Sequence, residues 1–303
     1  MTSVRAARET HVCDALPESL CYLNGTYGRV CDARVSVMDR GFIFGDGVYE
    51  VLPVYNARLF CFEQHMDRLD RSLNAVRIVN PLHRDAWRSI AQCLIDDLRC
   101  HSGASDQLVY LQVTRGVAVR DHAMLPGLEP TVYVMTNAMK PLSASQRQAG
   151  AHCITADDFR WEKAHIKSTS LQGAVIGKQL SVDVDADETV MFRDGMLSEA
   201  ATSNVWLVKN GVVSGPPRNN LVLEGIRYGL IERLCQNEGI AFELRPIARH
   251  EVLQAEELLL SSASKEVWAI TRLDGHPVGR GKPGPISQRL YAGYQAIKSA
   301  QCG

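Results

Sequence analysis

Lysine is scarce in this sequence of 303 residues: there are eight, against twenty-five arginines that serve as the general surface cation. No apolar run approaches the roughly 18 residues that a membrane-spanning helix needs. The opening "MTSVRAARETHVCDALPESL" also lacks the apolar core of a secretory leader. The expectation is therefore a cytoplasmic protein without a membrane partner, with residues 1–20 as an N-terminal arm. Cysteine occurs nine times, an odd number, and never as C-x-x-C. Such spacing suits neither zinc nor a disulfide framework, so no metal is expected and reduced thiols are the economical reading. A formal net charge of −1 removes any electrostatic argument for nucleic acid as a partner. Internal repeats and low-complexity segments are absent as well.

What is present is ordinary globular composition, 46% hydrophobic and 22% charged, at a length that allows two domains with their own cores. Asn24-Gly25, Asp194-Gly195 and Asn210-Gly211 are hairpin signals, and a further turn falls near Asn56. Met66, Leu69, Leu73 and Val76 recur at helical spacing, and a second helix is expected around "RDAWRSIAQCLIDDLRC". The strands "QLVYLQVTR" and "TVYVMTN" follow, then a polar stretch over 140–148 that reads as a linker. Beyond it, residues 188–215 read as a meander, and "EGIRYGLIERLCQNEG" as an amphipathic helix stopped at Gly239. The strand "ELLLSSAS" and the helix "PISQRLYAGYQAIK" close the chain. This pattern is α+β, with a smaller domain over 21–139 and a larger one over 149–303.

Five features could carry chemistry. Lys167 stands in "HIKSTSLQG" among small, neutral side chains. An arbitrary lysine is a solvated surface group, but a desolvated one loses its proton readily and can form a Schiff base. Glu199 closes an expected strand before small residues; it is either a solvated turn carboxylate or, if buried, one that needs a cation. "LEGIRYGLI" opens a helix at a glycine, leaving N–H groups suited to an anion. Arg68 lies on the first helix. Arg120 and His122 follow a strand two residues apart; if extended they leave one face and could clamp a carboxylate, the bland alternative being two exposed loop residues.

"MDRGFIFGDGVYEVLPVYN", "HMDRL", "YLQVTRG" with Arg120-x-His122, "IKSTSLQGAVIGKQ", "LSEAATSNVW" and "LEGIRYGL" stand in one order. In that order the chain, from about Tyr22 to its end, resembles the fold-type IV pyridoxal-phosphate enzymes, and within them the D-amino-acid aminotransferases. The resemblance implies a two-domain α+β fold with the cofactor cleft between the domains, and a homodimer. It implies a Schiff base on Lys167, with Glu199 facing the pyridine nitrogen and Arg68 anchoring the phosphate. Thr202, Leu223, Gly225, Ile226, Arg227, Ser262 and Ala263 complete the implied cofactor set, and Tyr49, Arg120 and His122 hold the substrate carboxylate. The implied reaction moves the amino group of a D-amino acid, D-alanine above all, to 2-oxoglutarate or pyruvate. The alternatives are a branched-chain L-amino-acid aminotransferase, an aminodeoxychorismate lyase, or a silent cofactor-binding regulatory protein. Two positions depart from the pattern: Arg227 stands where the family has threonine, and Ala263 where the D-specific relatives tend to have it. The side chain of Arg227 is expected to point away from the ligand into solvent, leaving the phosphate to backbone N–H groups and to Arg68.

Overall fold

A computed structural model of the chain describes residues 19–303, so the expected arm falls outside the described residues except for its last two positions. Two compact units divide the chain: one runs to Met139 and includes Lys167–Ser170 and Cys302, and the other holds 140–166, 171–301 and Gly303.

The first unit is built on β1 (Leu20–Leu23), β2 (Thr26–Arg29), α1 (Arg40–Phe44), β3 (Gly47–Tyr55), β4 (Arg58–Leu59), α2 (Phe62–Ala75), α3 (Arg84–Ser102), β5 (Gln107–Thr114) and β6 (Thr131–Ala138). Its sheet runs β2-β1-β6-β5-β3-β4, antiparallel throughout. Asn24 and Gly25 both take positive φ, 47° and 91°, as a two-residue turn matched to strand twist requires. α2 buries Met66, Leu69 and Leu73, and α3 buries Trp87, Ile90 and Leu94. β4 covers only the far end of β3, at Val54 and Tyr55. The near end stays open, and the Lys167–Ser170 segment pairs there. Tyr49 N–H donates to the Lys167 carbonyl, and Thr169 N–H to the Gly47 carbonyl, both at 3.0 Å. This pairing is why the lysine segment groups with the first unit rather than with the span 149–303.

The second unit contains α4 (Ala144–Ala149), β7 (Ala151–Asp157), α5 (Gln172–Val182), β8 (Glu188–Arg193), β9 (Met196–Ala200), β10 (Asn204–Lys209), β11 (Val212–Gly215), α6 (Ile226–Asn237), β12 (Ala241–Leu244), α7 (Arg249–Leu253), β13 (Glu257–Ser262), β14 (Glu266–Leu273), β15 (His276–Pro277) and α8 (Pro285–Cys302). Within the expected linker, Ser143 and Gln146 cap each other's backbone at the start of α4, so 140–148 is half helix. The sheet order is β12-β11-β10-β13-β14-β7-β8-β9, with β15 on β14. The meander expected over 188–215 is therefore not one. The β8–β9 and β10–β11 hairpins form at their Asp-Gly and Asn-Gly turns, but β13, β14 and β7 lie between them in the sheet. A tight turn over 201–203, closed by Ala200 N–H to the Ser203 carbonyl at 2.7 Å, breaks the sequence of hairpins. β7 pairs parallel with β8 across α5, and β11 parallel with β12 across α6, as crossover connections demand. Val190, Phe192, Leu258, Leu260 and Ile270 lie in the core of this unit. Among the described residues no helix is long and apolar enough to cross a membrane, and no cluster of three metal-ligating side chains occurs.

Candidate active site

In the first unit the antiparallel bridge between Val48 and Ser168 holds the lysine segment, and Lys167 N–H donates to Ser72 Oγ at 3.2 Å. The half-buried amine of Lys167 lies 4.2 Å from the Tyr49 ring centroid, on the negative face of the π system. No acidic side chain among the described residues pairs with it. The opposing loop must come close: Gly45 has φ of 65°, and a Cβ there would stand 2.7 Å from Ser170 Oγ and 3.1 Å from its Cα. Only glycine meets both conditions without strain.

Arg68 is buried on α2 and bound to Glu50 of β3 through Nε at 2.7 Å and Nη2 at 2.8 Å. His65 Nδ1 meets the same carboxylate at 2.8 Å. Burial alone would raise the Glu50 pKa; the Arg68 charge and the bonds from Arg68 and His65 overcome it and hold the carboxyl well below the usual range. The arginine expected as a phosphate anchor is thus first a member of a buried ionic cluster.

Arg120 and His122 do not continue a strand: the chain beyond β5 is an irregular, exposed loop. They still converge, because both rest on Phe44, the Arg120 guanidinium 5.3 Å and the His122 ring 5.3 Å from its ring centre. Beneath, buried Arg40 donates through Nε to Asp46 Oδ2 at 2.8 Å and through Nη1 to the Asp121 carbonyl, and its guanidinium lies 4.8 Å from the Phe44 ring. Asp46 is itself held by Arg115 Nε at 2.7 Å and Nη2 at 3.0 Å. The two are thus exposed loop residues, the bland alternative for the backbone, brought together by Phe44 and not by a shared strand face.

In the second unit Glu199 is buried on β9. Its Oε1 accepts from Arg160 Nη1 at 2.8 Å, and its Oε2 from Asn204 Nδ2 and Leu223 N–H, each at 3.2 Å. Burial pushes its pKa up to about 7, against the lowering effect of these donors. Asn204 Nδ2 also meets the Leu223 carbonyl at 3.0 Å, and its Oδ1 occupies the space that a Cβ on Gly225 would need. Gly225 caps α6 without a side-chain hydrogen bond, so glycine is required by the close approach of Asn204.

Arg227 overturns its expectation. It is 3% exposed, because α8 covers it: Nη2 donates to Tyr294 Oη at 2.9 Å and to the Ala263 carbonyl at 3.3 Å. The two positions that depart from the family pattern therefore touch each other. Thr202 is exposed, with its hydroxyl bound to buried Glu188. Ser262 Oγ accepts from Lys265 N–H at 3.2 Å. The candidate residues thus gather as Lys167 with Tyr49, Arg120 with His122, Glu199 with Leu223, and Arg227 with Ala263. Sequence reasoning missed Arg160, Asn204, Phe44 and Glu50; only the Gly225 cap hinted at a crowded neighbour. Among the buried cysteines, burial raises the Cys235 pKa to about 11 and that of Cys153 further.

Residues 47–273 match the model of the amino-transferase class IV family. The chain is 34% identical over 276 residues to a D-alanine aminotransferase of Staphylococcus aureus, covering 90% of this chain and 96% of that one. It is 35% identical over 272 residues to the D-alanine aminotransferase of Bacillus licheniformis, covering 90% and 94%. Among solved structures it resembles the branched-chain aminotransferase of the archaeon Thermoproteus uzoniensis with norvaline, at a TM-score of 0.83 and 20% identity over 94% of this chain and 96% of that one. The Escherichia coli branched-chain enzyme gives a TM-score of 0.80 at 21% identity over 94% and 95%. These likenesses at low identity concern the fold, which is the α+β fold expected. With a family model spanning most of its length and relatives above 30% identity, the chain belongs to the class IV aminotransferases.

Proposed function

We propose that this aminotransferase moves the amino group of a D-amino acid, D-alanine first, to a 2-oxo acid such as 2-oxoglutarate or pyruvate. The D-alanine aminotransferases at 34–35% identity support the substrate class; the branched-chain likenesses support only the fold. The observation that carries the chemistry is Lys167, an amine seated on an aromatic face and, among the described residues, unpaired with acid, in a chain that otherwise uses arginine.

The donor set fits pyridoxal phosphate. Lys167 offers a primary amine for the aldehyde, Glu199 a buried carboxylate for the pyridine nitrogen, and the α6 N-terminus, opening at Gly225 with Ile226 and Arg227, the positive end of a helix for the phosphate. When bound, the cofactor supplies an aldehyde that captures amines and a ring that accepts the electron pair left at the substrate Cα. With the cofactor bound, Lys167 Nζ would take the proton from the substrate Cα and later give it back. Arg120 and His122, seated on Phe44, bind the α-carboxylate together with Tyr49, and the same groups then receive the second oxo acid, so kinetics are ping-pong. Arg68, Thr202, Leu223, Ser262 and Ala263 belong to the same proposed cofactor set.

We also propose a cytoplasmic homodimer. Val35, Val37, Phe42, Val117 and Val119 of the first unit are each at least 50% exposed, an apolar surface that a second copy would cover. The test of function is turnover with D-alanine against L-alanine, L-leucine and aminodeoxychorismate. Turnover of D-alanine alone, with a cofactor absorbance shift, supports the reading; preference for any of the others refutes it.

A further inference from the structure

Glu199 can hold a proton on a ring nitrogen only while it is itself ionised, and a carboxylate 6% exposed resists ionising. One guanidinium counters this. Arg160 lies in the loop after β7, yet it is gripped from several directions. Its Nε and Nη2 bind Asp158 at 2.9 and 2.8 Å, and its carbonyl accepts from Arg193 Nη2 at 2.6 Å. Its stem passes so close to α5 that a Cβ on Gly173 would stand 2.9 Å from its Cγ. Asp158 is fixed in turn by Ser198 Oγ at 2.7 Å, the residue before Glu199. With those anchors set, Nη1 is delivered to Glu199 Oε1 at 2.8 Å.

The other charged or titratable groups around Glu199 do not substitute for it. Asp158 is an anion, and Arg193 turns to Asp158 at 3.4 Å. Tyr228 of α6 is a phenol whose own pKa is pushed far up, by burial first and then by the Glu199 charge. Asn204 of β10 and the Leu223 N–H are neutral donors.

We propose that Arg160 is a positioning residue that holds Glu199 ionised and thereby keeps the shared proton on the cofactor's ring nitrogen instead of on the carboxylate. One proton lies between nitrogen and oxygen, and it stays on the more basic of the two. Even with Arg160 in place, burial brings Glu199 to about 7; without the guanidinium, and with Asp158 left to Arg193 alone, the carboxyl is pushed further toward its protonated form. The ring is then neutral and a poor electron acceptor, although every atom of Glu199 is present. This inference rests on the proposed pairing of Glu199 with the ring.

The test uses holoenzyme reconstituted with cofactor carrying ¹⁵N in the ring, and reads the nitrogen chemical shift in wild type, Arg160→Met, Arg160→Lys and Glu199→Gln. Wild type and Arg160→Lys should show a protonated nitrogen, and Arg160→Met and Glu199→Gln an unprotonated one. Cofactor affinity of the apo Arg160→Met protein should fall about ten- to a hundred-fold, the worth of a charge-assisted contact. A purely structural Arg160 would lower the apo thermal midpoint without moving the nitrogen signal, and that result overturns the inference. An unprotonated nitrogen in wild type overturns instead the pairing of Glu199 with the ring. Should Arg160→Met not fold, Asp158→Asn/Arg160→Met removes one charge of each sign and must show the same unprotonated nitrogen.

Discussion

Replacing Glu50 by glutamine changes one atom's chemistry at the centre of the first unit and leaves the volume untouched. The carboxylate is fully buried and accepts three hydrogen bonds, two from Arg68 and one from His65. The amide offers one oxygen and turns its NH₂ group toward a donor, so at least one charge-assisted bond is lost and a buried guanidinium loses its compensating charge. Breaking a buried ion pair from one side costs about 3–5 kcal/mol, a large part of the 5–15 kcal/mol typical of a folded protein. The pH dependence gives a second handle. Glu50 has a folded-state pKa far below its ordinary 4.5, so its contribution is fully present above that value and is lost as pH falls toward the folded-state pKa. Wild type and Glu50→Gln should therefore differ by about 3–5 kcal/mol in urea unfolding at pH 7, and the gap should narrow progressively below pH 4.5. Hydrogen exchange should locate the loss in β3 and α2. A gap under about 1 kcal/mol, the worth of one neutral hydrogen bond, or a gap that does not narrow in acid, refutes the reasoning.

Lys167→Ala should abolish turnover while leaving the apo fold intact by circular dichroism, and borohydride trapping followed by peptide mapping should label Lys167 alone. Arg120→Ala should raise KM for both the D-amino acid and the oxo acid, and Phe44→Leu, which removes the platform under the clamp, should do the same more weakly; an effect on one substrate only refutes a shared clamp. Gly45→Ala should displace Ser170 and with it the lysine segment, lowering kcat by at least about tenfold for each 1.4 kcal/mol of misplacement; unchanged kcat would show that the close approach is not needed. Arg227→Ala should lower the apo unfolding free energy by about 1.5–3 kcal/mol through the lost charge-assisted bond to Tyr294, and Tyr294→Phe should reproduce most of that loss. If Arg227→Ala weakens cofactor binding as much as Arg68→Ala, the phosphate site is built around both arginines.

The turns and helices were legible because their causes are local. Asn24-Gly25, Asp194-Gly195 and Asn210-Gly211 all take positive φ, a preference that two residues carry by themselves. Met66, Leu69 and Leu73 face the core because helical periodicity puts them on one side. The scarcity of lysine singled out Lys167, and the order of motifs supplied the family. Local signals could not give the sheet order of the second unit. β13 and β14 enter between β7 and β10 from about fifty residues or more downstream, and strand pairing at that range depends on which edges remain open and which faces bury one another. β14 itself went unread. The loop of Arg120 and His122 passed for an extension of β5 because its order comes from Arg40 and Phe44, about eighty residues away.

Buried charge was least legible of all. Glu50 with Arg68, Glu199 with Arg160, and Arg227 with Tyr294 are separated by 18, 39 and 67 positions. No periodicity links such partners, since each charge is tolerated only where the folded chain brings a counter-group to it. Sequence alone therefore determined which residues could react and which segments turn or coil. Tertiary structure decided which charges are neutralised: Arg68 is matched by Glu50, Glu199 is drawn toward ionisation by a single guanidinium, and Arg227 is turned inward under α8. The reason is dielectric: a side chain's charge has a cost and a partner only once water has been removed from around it.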